Sequence, residues 1–177
     1  MPVLLRAARH QQRMTLEELA ERTGLTKSYL SKVERGLSTP SIAVALKIAG
    51  ALGVDVARLF DPESGDELVC VVRAADRTTA RPDHGGTYYA LATSMLGKRM
   101  SPFVVVPSAE FGDGSMREHS GQEFLFVHKG RVELELPGKV ESLDVGDCVY
   151  FDAAVPHRLR SVGETPAEVL VVAHDDR

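Results

Sequence analysis

Cysteine is almost missing from this chain of 177 residues: only Cys70 and Cys148 occur, far apart and without Cys-x-x-Cys spacing. That scarcity excludes a disulfide scaffold and a cysteine-rich zinc module, and both residues, set in apolar strand-like runs, read as buried packing residues. Long hydrophobic runs are missing too. No segment approaches the length needed to span a bilayer, which predicts no membrane partner. The opening Met1-Pro2-Val3-Leu4-Leu5-Arg6 lacks the longer apolar stretch and cleavage site of a secretory leader, so a cytoplasmic location is expected. Internal repeats and low-complexity tracts are absent as well. What is present is 44% hydrophobic residues, enough for a folded core and too many for a disordered chain.

The net charge of −4 hides an asymmetry. Residues 1–60 carry nine Lys/Arg against five Asp/Glu, whereas residues 61–177 carry twelve against twenty. A basic segment joined to an acidic one suits a head that meets a polyanion and a body that does not. The apolar period changes at the same place. Before residue 61, Leu4, Leu16, Leu19, Leu30, Val33, Ile42 and Leu46 recur at helical intervals; Gly53 ends a fourth helix, and Asp55 can cap a short fifth. Asp61-Pro62-Glu63-Ser64-Gly65-Asp66 is a polar breaker run. Beyond it lie short β-type runs over 67–73, 87–93, 103–106, 123–127, 131–136, 147–151, 157–161 and 167–173, separated by turns such as His128-Lys129-Gly130 and Pro137-Gly138. The expected organisation is a multidomain α plus β chain: a helical head over 1–60, a linker over 61–66 and a β body over 67–177.

Within the head, Thr15 stands three residues before Glu18, the spacing of a capping box. Leu19 and Ala20 face inward, Gly24 supplies a turn, and Thr26 can cap the next helix, whose buried side takes Leu30 and Val33. Lys27, Ser28, Ser31, Lys32 and Arg35 are left on one outward stripe. Such a stripe fits a helix lying in a major groove, with its first residues at base edges and flanking basic groups on phosphates. With Glu34-Arg35-Gly36 closing the helix and Ser38-Thr39-Pro40-Ser41 leading onward, residues 4–60 resemble the five-helix module of the Cro and phage-repressor (Xre-like) helix-turn-helix family. The resemblance implies DNA contacts from Thr26, Lys27, Ser28, Tyr29, Ser31, Lys32, Arg35 and Thr39, and an ion pair between Arg9 and Glu34.

In the β body, His119 is followed after three residues by Glu123 and after six more by Gly130, and Gly146-Asp147 leads to His157. These spacings resemble the two cupin signatures, with Arg117 where the first histidine is usual and Asp152 and Ala154 where proline and glycine are usual. The resemblance implies a cupin double-stranded β-helix barrel after the five-helix bundle. It leaves His119, Glu123 and His157 as candidate ligands for a divalent metal (Fe, Zn, Ni or Mn), two imidazoles and a carboxylate being a donor set that keeps coordination positions open. An internal hydrogen-bonded cluster without metal is the bland alternative. Arg117 could meet an anionic group on an effector. Tyr88 and Tyr89 alternate along one strand, so one should face the lumen, and both are candidate ligand contacts. His10, His84, His128 and His174 lack comparable partners and read as surface or loop residues.

The reading that follows is a homodimeric, sequence-specific transcriptional regulator and not an enzyme: the head binds double-stranded operator DNA, and the body senses a small-molecule effector. The alternative is a non-haem iron cupin oxidoreductase of the hydroxypropylphosphonate epoxidase type, whose head resembles a helix-turn-helix. The outward basic stripe separates the two, since a catalytic member has no need of it.

Overall fold

The computed structural model describes residues 4–60, 68–82, 86–111 and 116–174. The expected linker, His84 and the first three residues lie outside these. Among the described residues four α-helices come first: α1 (Leu5–Gln11), α2 (Leu16–Thr23), α3 (Lys27–Glu34) and α4 (Ile42–Leu52). The α2 start is a complete capping box, with the Thr15 side chain accepting from Glu18 N and Glu18 accepting from Thr15 N. Gly24 ends α2 at φ 67°, the left-handed conformation that favours glycine. Thr26 and Ser41 cap α3 and α4. The fifth helix expected of the bundle is corrected here. Asp55 does cap it, but only the four residues Val56–Leu59 follow, wound as a 3-10 turn that ends at Phe60. A turn this short gains order from burial of Val56, Ala57 and Leu59 rather than from its own ladder.

Nine strands follow among the described residues: β1 (Thr78–Ala80), β2 (Thr87–Ala90), β3 (Met100–Val106), β4 (Gln122–Lys129), β5 (Arg131–Leu136), β6 (Lys139–Leu143), β7 (Cys148–Asp152), β8 (Arg158–Val162) and β9 (Glu168–His174). All pairs are antiparallel, in a six-stranded sheet of order β1-β2-β3-β9-β4-β7 and a three-stranded sheet of order β6-β5-β8. The strand expected over 67–73 does not form in its described part. Leu68 is 89% exposed, and that stretch finds no ladder partner among the described residues. β1 and β6 were not foreseen, because Thr78–Ala80 is too short and Lys139–Leu143 too polar to show an apolar alternation. Between β4 and β5, Gly130 sits at φ 70°, where an added Cβ would lie 2.8 Å from the Ala167 Cα; the turn admits glycine alone. Neither cysteine is fully buried as expected: Cys70 is half-buried beside Ser94, and Cys148 is exposed on the edge strand β7.

One hydrophobic cluster runs from head to body. It joins Leu19, Leu30 and Ile48 of the helices to Phe103, Leu125, Leu134 and Val171 of both sheets. At the seam, the Phe60 and Tyr88 rings meet edge-on at 6.2 Å, and Tyr88 meets Phe103 at 5.9 Å. The Tyr88 hydroxyl donates to the Pro40 carbonyl at 2.9 Å, and the Lys98 ammonium lies 3.2 Å from the Asp55 carboxylate, both side chains nearly sealed from solvent. No helix among the described residues is long and apolar enough to cross a membrane.

Candidate nucleic-acid interface and candidate metal centre

The outward side of α3 presents Lys27, Ser28, Lys32 and Arg35 to solvent, with Thr26 exposed at its cap. Ser31 and Thr39 are half-buried. Lys27 pairs with Glu17 of α2, and Arg35 Nε donates to the Ser31 carbonyl at 3.1 Å, so two cations are held near the helix rather than extended. Tyr29 is half-buried as well and packs against the core. Behind the face, Arg9 donates to both Glu34 carboxylate oxygens at 2.7 and 3.1 Å and to the Met14 carbonyl at 2.7 Å. The bond to Glu34 holds the Arg9 guanidinium above its ordinary pKa, against the opposing effect of burial. The ion pair expected from the phage-repressor resemblance is therefore present and fastens α1 to the end of α3.

In the body, His119, Glu123 and His157 converge, all buried, with one ligand atom from each within 4.8 Å of the others. Glu123 stands on β4 in the row of inward residues with Leu125 and Val127. The two histidine segments run side by side. Arg117 and His157 exchange both backbone hydrogen bonds, and His119 N donates to the Ala153 carbonyl. Asp152, in the place usual for proline, accepts from Ala154 N at 2.9 Å and forms the tight turn that precedes His157.

Proton positions in the cluster follow from its partners. His119 Nδ1 lies 2.8 Å from the Ser120 carbonyl, and His157 Nδ1 lies 2.8 Å from the Val155 carbonyl. A carbonyl only accepts, so both Nδ1 atoms carry hydrogen, and each ring turns its Nε2 toward Glu123. Those contacts are 2.5 Å from His119 and 3.4 Å from His157. Acceptors facing a carboxylate at such distances require a positive species among them, either a proton or a metal ion. The backbone carbonyls are the outer partners that orient metal-binding imidazoles. The donor set fits a divalent cation with open positions.

Arg117 lies beside this cluster. Burial pushes its guanidinium below the ordinary value, while Tyr88, Tyr29 and Glu123 act electrostatically in the other direction. Tyr88 is buried on the triad's side of the sheet, and burial pushes its phenol upward. Its hydroxyl is spent on Pro40. Tyr89 is corrected as a ligand contact. It pairs in register with Val104, on the sheet face opposite Glu123, because neighbours on a strand point to opposite sides. Sequence reading missed Pro40, Asp55 and Lys98 at the seam, which no local motif marks. His10 and His128 are exposed, as expected of surface residues, whereas His174 is half-buried at the end of β9.

The helix-turn-helix family matches residues 5–59, and the cupin domain family matches residues 102–173. The chain is a helix-turn-helix regulator with a cupin domain. This regulator is similar over 98% of its length to the HTH-type transcriptional regulator SutR of Escherichia coli, at 25% identity and 93% coverage of that protein. It shares its fold with an HTH_3 family transcriptional regulator from Vibrio cholerae (22% identity, TM-score 0.62, covering 96% and 92% of the two chains). It also shares a fold with hydroxypropylphosphonic acid epoxidase from S. wedmorenis (24% identity, TM-score 0.52, covering 96% and 94%). The epoxidase likeness is one of fold alone, whereas the end-to-end sequence relative is a transcriptional regulator. The regulator is therefore not classed as an enzyme.

Proposed function

We propose that the head of this regulator reads double-stranded operator DNA while its cupin body binds a small-molecule effector with the help of a divalent cation. The division runs at residues 1–60 for the head, 61–66 for the linker and 67–177 for the body, which closes as a double-stranded β-helix. Lys27, Ser28, Ser31 and Lys32 reach base edges, and lysine suits the O6 and N7 acceptors of guanine. Arg35, Thr26 and Thr39 hold phosphates. His119, Glu123 and His157 hold the cation, which is Fe(II), Zn, Ni or Mn, and Arg117 meets an anionic group on the effector.

The observation that carries this reading is the convergence of buried His119, Glu123 and His157 in the body of a chain whose α3 keeps Lys27, Ser28 and Lys32 exposed. The Tyr88–Pro40 hydrogen bond ties that body to the loop after α3. A ligand bound in the body shifts a conformational equilibrium of the head only through a difference in its interactions with the two states. Two heads on a two-fold axis meet half-sites one helical turn, roughly 34 Å, apart.

Selection from randomised duplexes tests the head. The expected product is a repeated half-site. Arg35→Ala should weaken binding to all sequences alike and lower the salt slope by about 1. Recovery of no preferred sequence would overturn the regulator reading.

A further inference from the structure

Three helices of the head end on the same two-residue signal, a glycine in the left-handed conformation followed by an apolar residue. The pairs are Gly24-Leu25 after α2, Gly36-Leu37 after α3 and Gly53-Val54 after α4. The ends of α3 and α4 match bond for bond. Leu37 N donates to the Lys32 carbonyl at 2.8 Å and Gly36 N to the Val33 carbonyl at 3.0 Å. Val54 N donates to the Ala49 carbonyl at 3.0 Å and Gly53 N to the Gly50 carbonyl at 3.1 Å. In this arrangement the residue after the glycine commonly folds back onto the helix and is covered there. Val54 does so, with 9% of its surface exposed, and Leu25 packs against the same core. Leu37 does not: 65% of it faces solvent. No other large apolar side chain among the described residues of the head is exposed to that degree.

The helix end therefore accounts for the backbone at position 37 but not for leucine. A polar side chain would make the same two bonds and leave no apolar surface in water. What sets the position apart is its surroundings. The bond to the Lys32 carbonyl fixes Leu37 at the end of the outward stripe of α3, close to Lys32 and Arg35, both exposed. A lone apolar group among cations is a poor patch for another protein, whose contact surface needs a continuous apolar centre. Beside groups that meet phosphates, it faces the carbon surface of the same duplex.

We propose that Leu37 is a specificity-determining contact that packs against the C5-methyl of a thymine in each half-site. That methyl is the apolar group a base pair displays in the major groove. The eight residues of α3 span about 12 Å, close to the ~12 Å width of the groove, so a side chain just past the helix end still reaches base edges. The assignment rests on the reading of the head as a reader of operator DNA.

The duplex recovered by selection from randomised sequences tests it with the full-length protein. Replacing each thymine in turn by deoxyuridine removes the methyl and keeps the hydrogen-bonding edges. At one base pair per half-site this should weaken the wild type about fourfold, what burial of a single methyl is worth. Leu37→Ala should be insensitive to deoxyuridine at that base pair, should accept other bases there in a repeated selection, and should melt at the wild-type temperature. A preferred site indifferent to every deoxyuridine would overturn the thymine contact and leave the regulator reading standing; weaker binding by Leu37→Ala to such a site would assign the leucine to deoxyribose instead. Equal deoxyuridine sensitivity in wild type and Leu37→Ala would also overturn it, as would a lowered melting temperature, which would make the side chain structural. Recovery of no preferred sequence would overturn this contact and the regulator reading together.

Discussion

Glu34 in the head and Glu123 in the body are both shielded carboxylates facing nitrogen, yet the nitrogens offer opposite things. Arg9 brings Glu34 a fixed positive charge and donors for both oxygens, and its remaining fork is satisfied by Met14. That account closes with nothing added. Around Glu123 the imidazole Nδ1–H groups donate to backbone carbonyls, and the Nε2 atoms meet the carboxylate only through a proton or a metal ion. That account closes only when a proton or a metal ion is added. A buried polar group alone therefore says little about function. Whether its donors and acceptors balance within the protein separates a fastening from a site.

The sharpest way to break the contrast is to open the closed account. Glu34→Ala leaves the Arg9 guanidinium without its carboxylate in a nearly sealed position and should cost up to about 3–5 kcal/mol in denaturant unfolding. A cost near zero would make the pair dispensable. The open account should respond to what fills it. A divalent ion at a hundredfold excess over its Kd should stabilise the native protein by about 2.7 kcal/mol, and Glu123→Ala should abolish that gain while leaving basal DNA affinity of the head nearly unchanged. Metal analysis and thermal melts with and without added ion measure it, and a protein that gains nothing from any of the four metals would show the cluster to be a polar lining. The smallest effect belongs to the solvent-exposed version of the closed motif, the Thr15–Glu18 box. Thr15→Ala should cost about 1 kcal/mol. Hydrogen bonds from the Thr15 backbone and side chain hold the Glu18 carboxyl below the usual carboxylate range. Its contribution is thus present at neutral pH and is lost as pH falls below that range through the lowered pKa. Unfolding titrations of the wild type and Thr15→Ala should converge on acidification, and parallel curves would deny the linkage.

The helical half was the more legible in sequence. Caps and turn residues act locally, so Thr15, Gly24 and Thr26 announced their roles through near neighbours. The 3-10 ending of the head was not legible, since α and 3-10 turns share the same cap and differ by one residue of pitch. In the body, spacing located His119, Glu123, Gly130 and His157, because a strand–turn–strand frame fixes distance along the chain. Tyr89 was misplaced for a physical reason. Which side of an element meets another domain depends on long-range packing, and a tyrosine suits a groove, a seam or a sheet face equally well. The unformed strand over 68–73 shows the converse: β-type composition states a preference, and only a free sheet edge at the right place fulfils it.

The Tyr88 hydroxyl, held by the carbonyl of Pro40 in the loop that follows α3, also bears on how such proteins can be rebuilt. Proline has no N–H to offer, so that carbonyl is its whole polar contribution, and the head spends it on the body. Grafting this head onto an unrelated effector module would strip the oxygen of its donor and expose Phe60. It would also leave Asp55 without Lys98. A designer seeking new sensors from this scaffold should cut inside the cupin, keeping β2 and the Lys98 loop with the helices, and treat the first strands as part of the DNA reader's chassis.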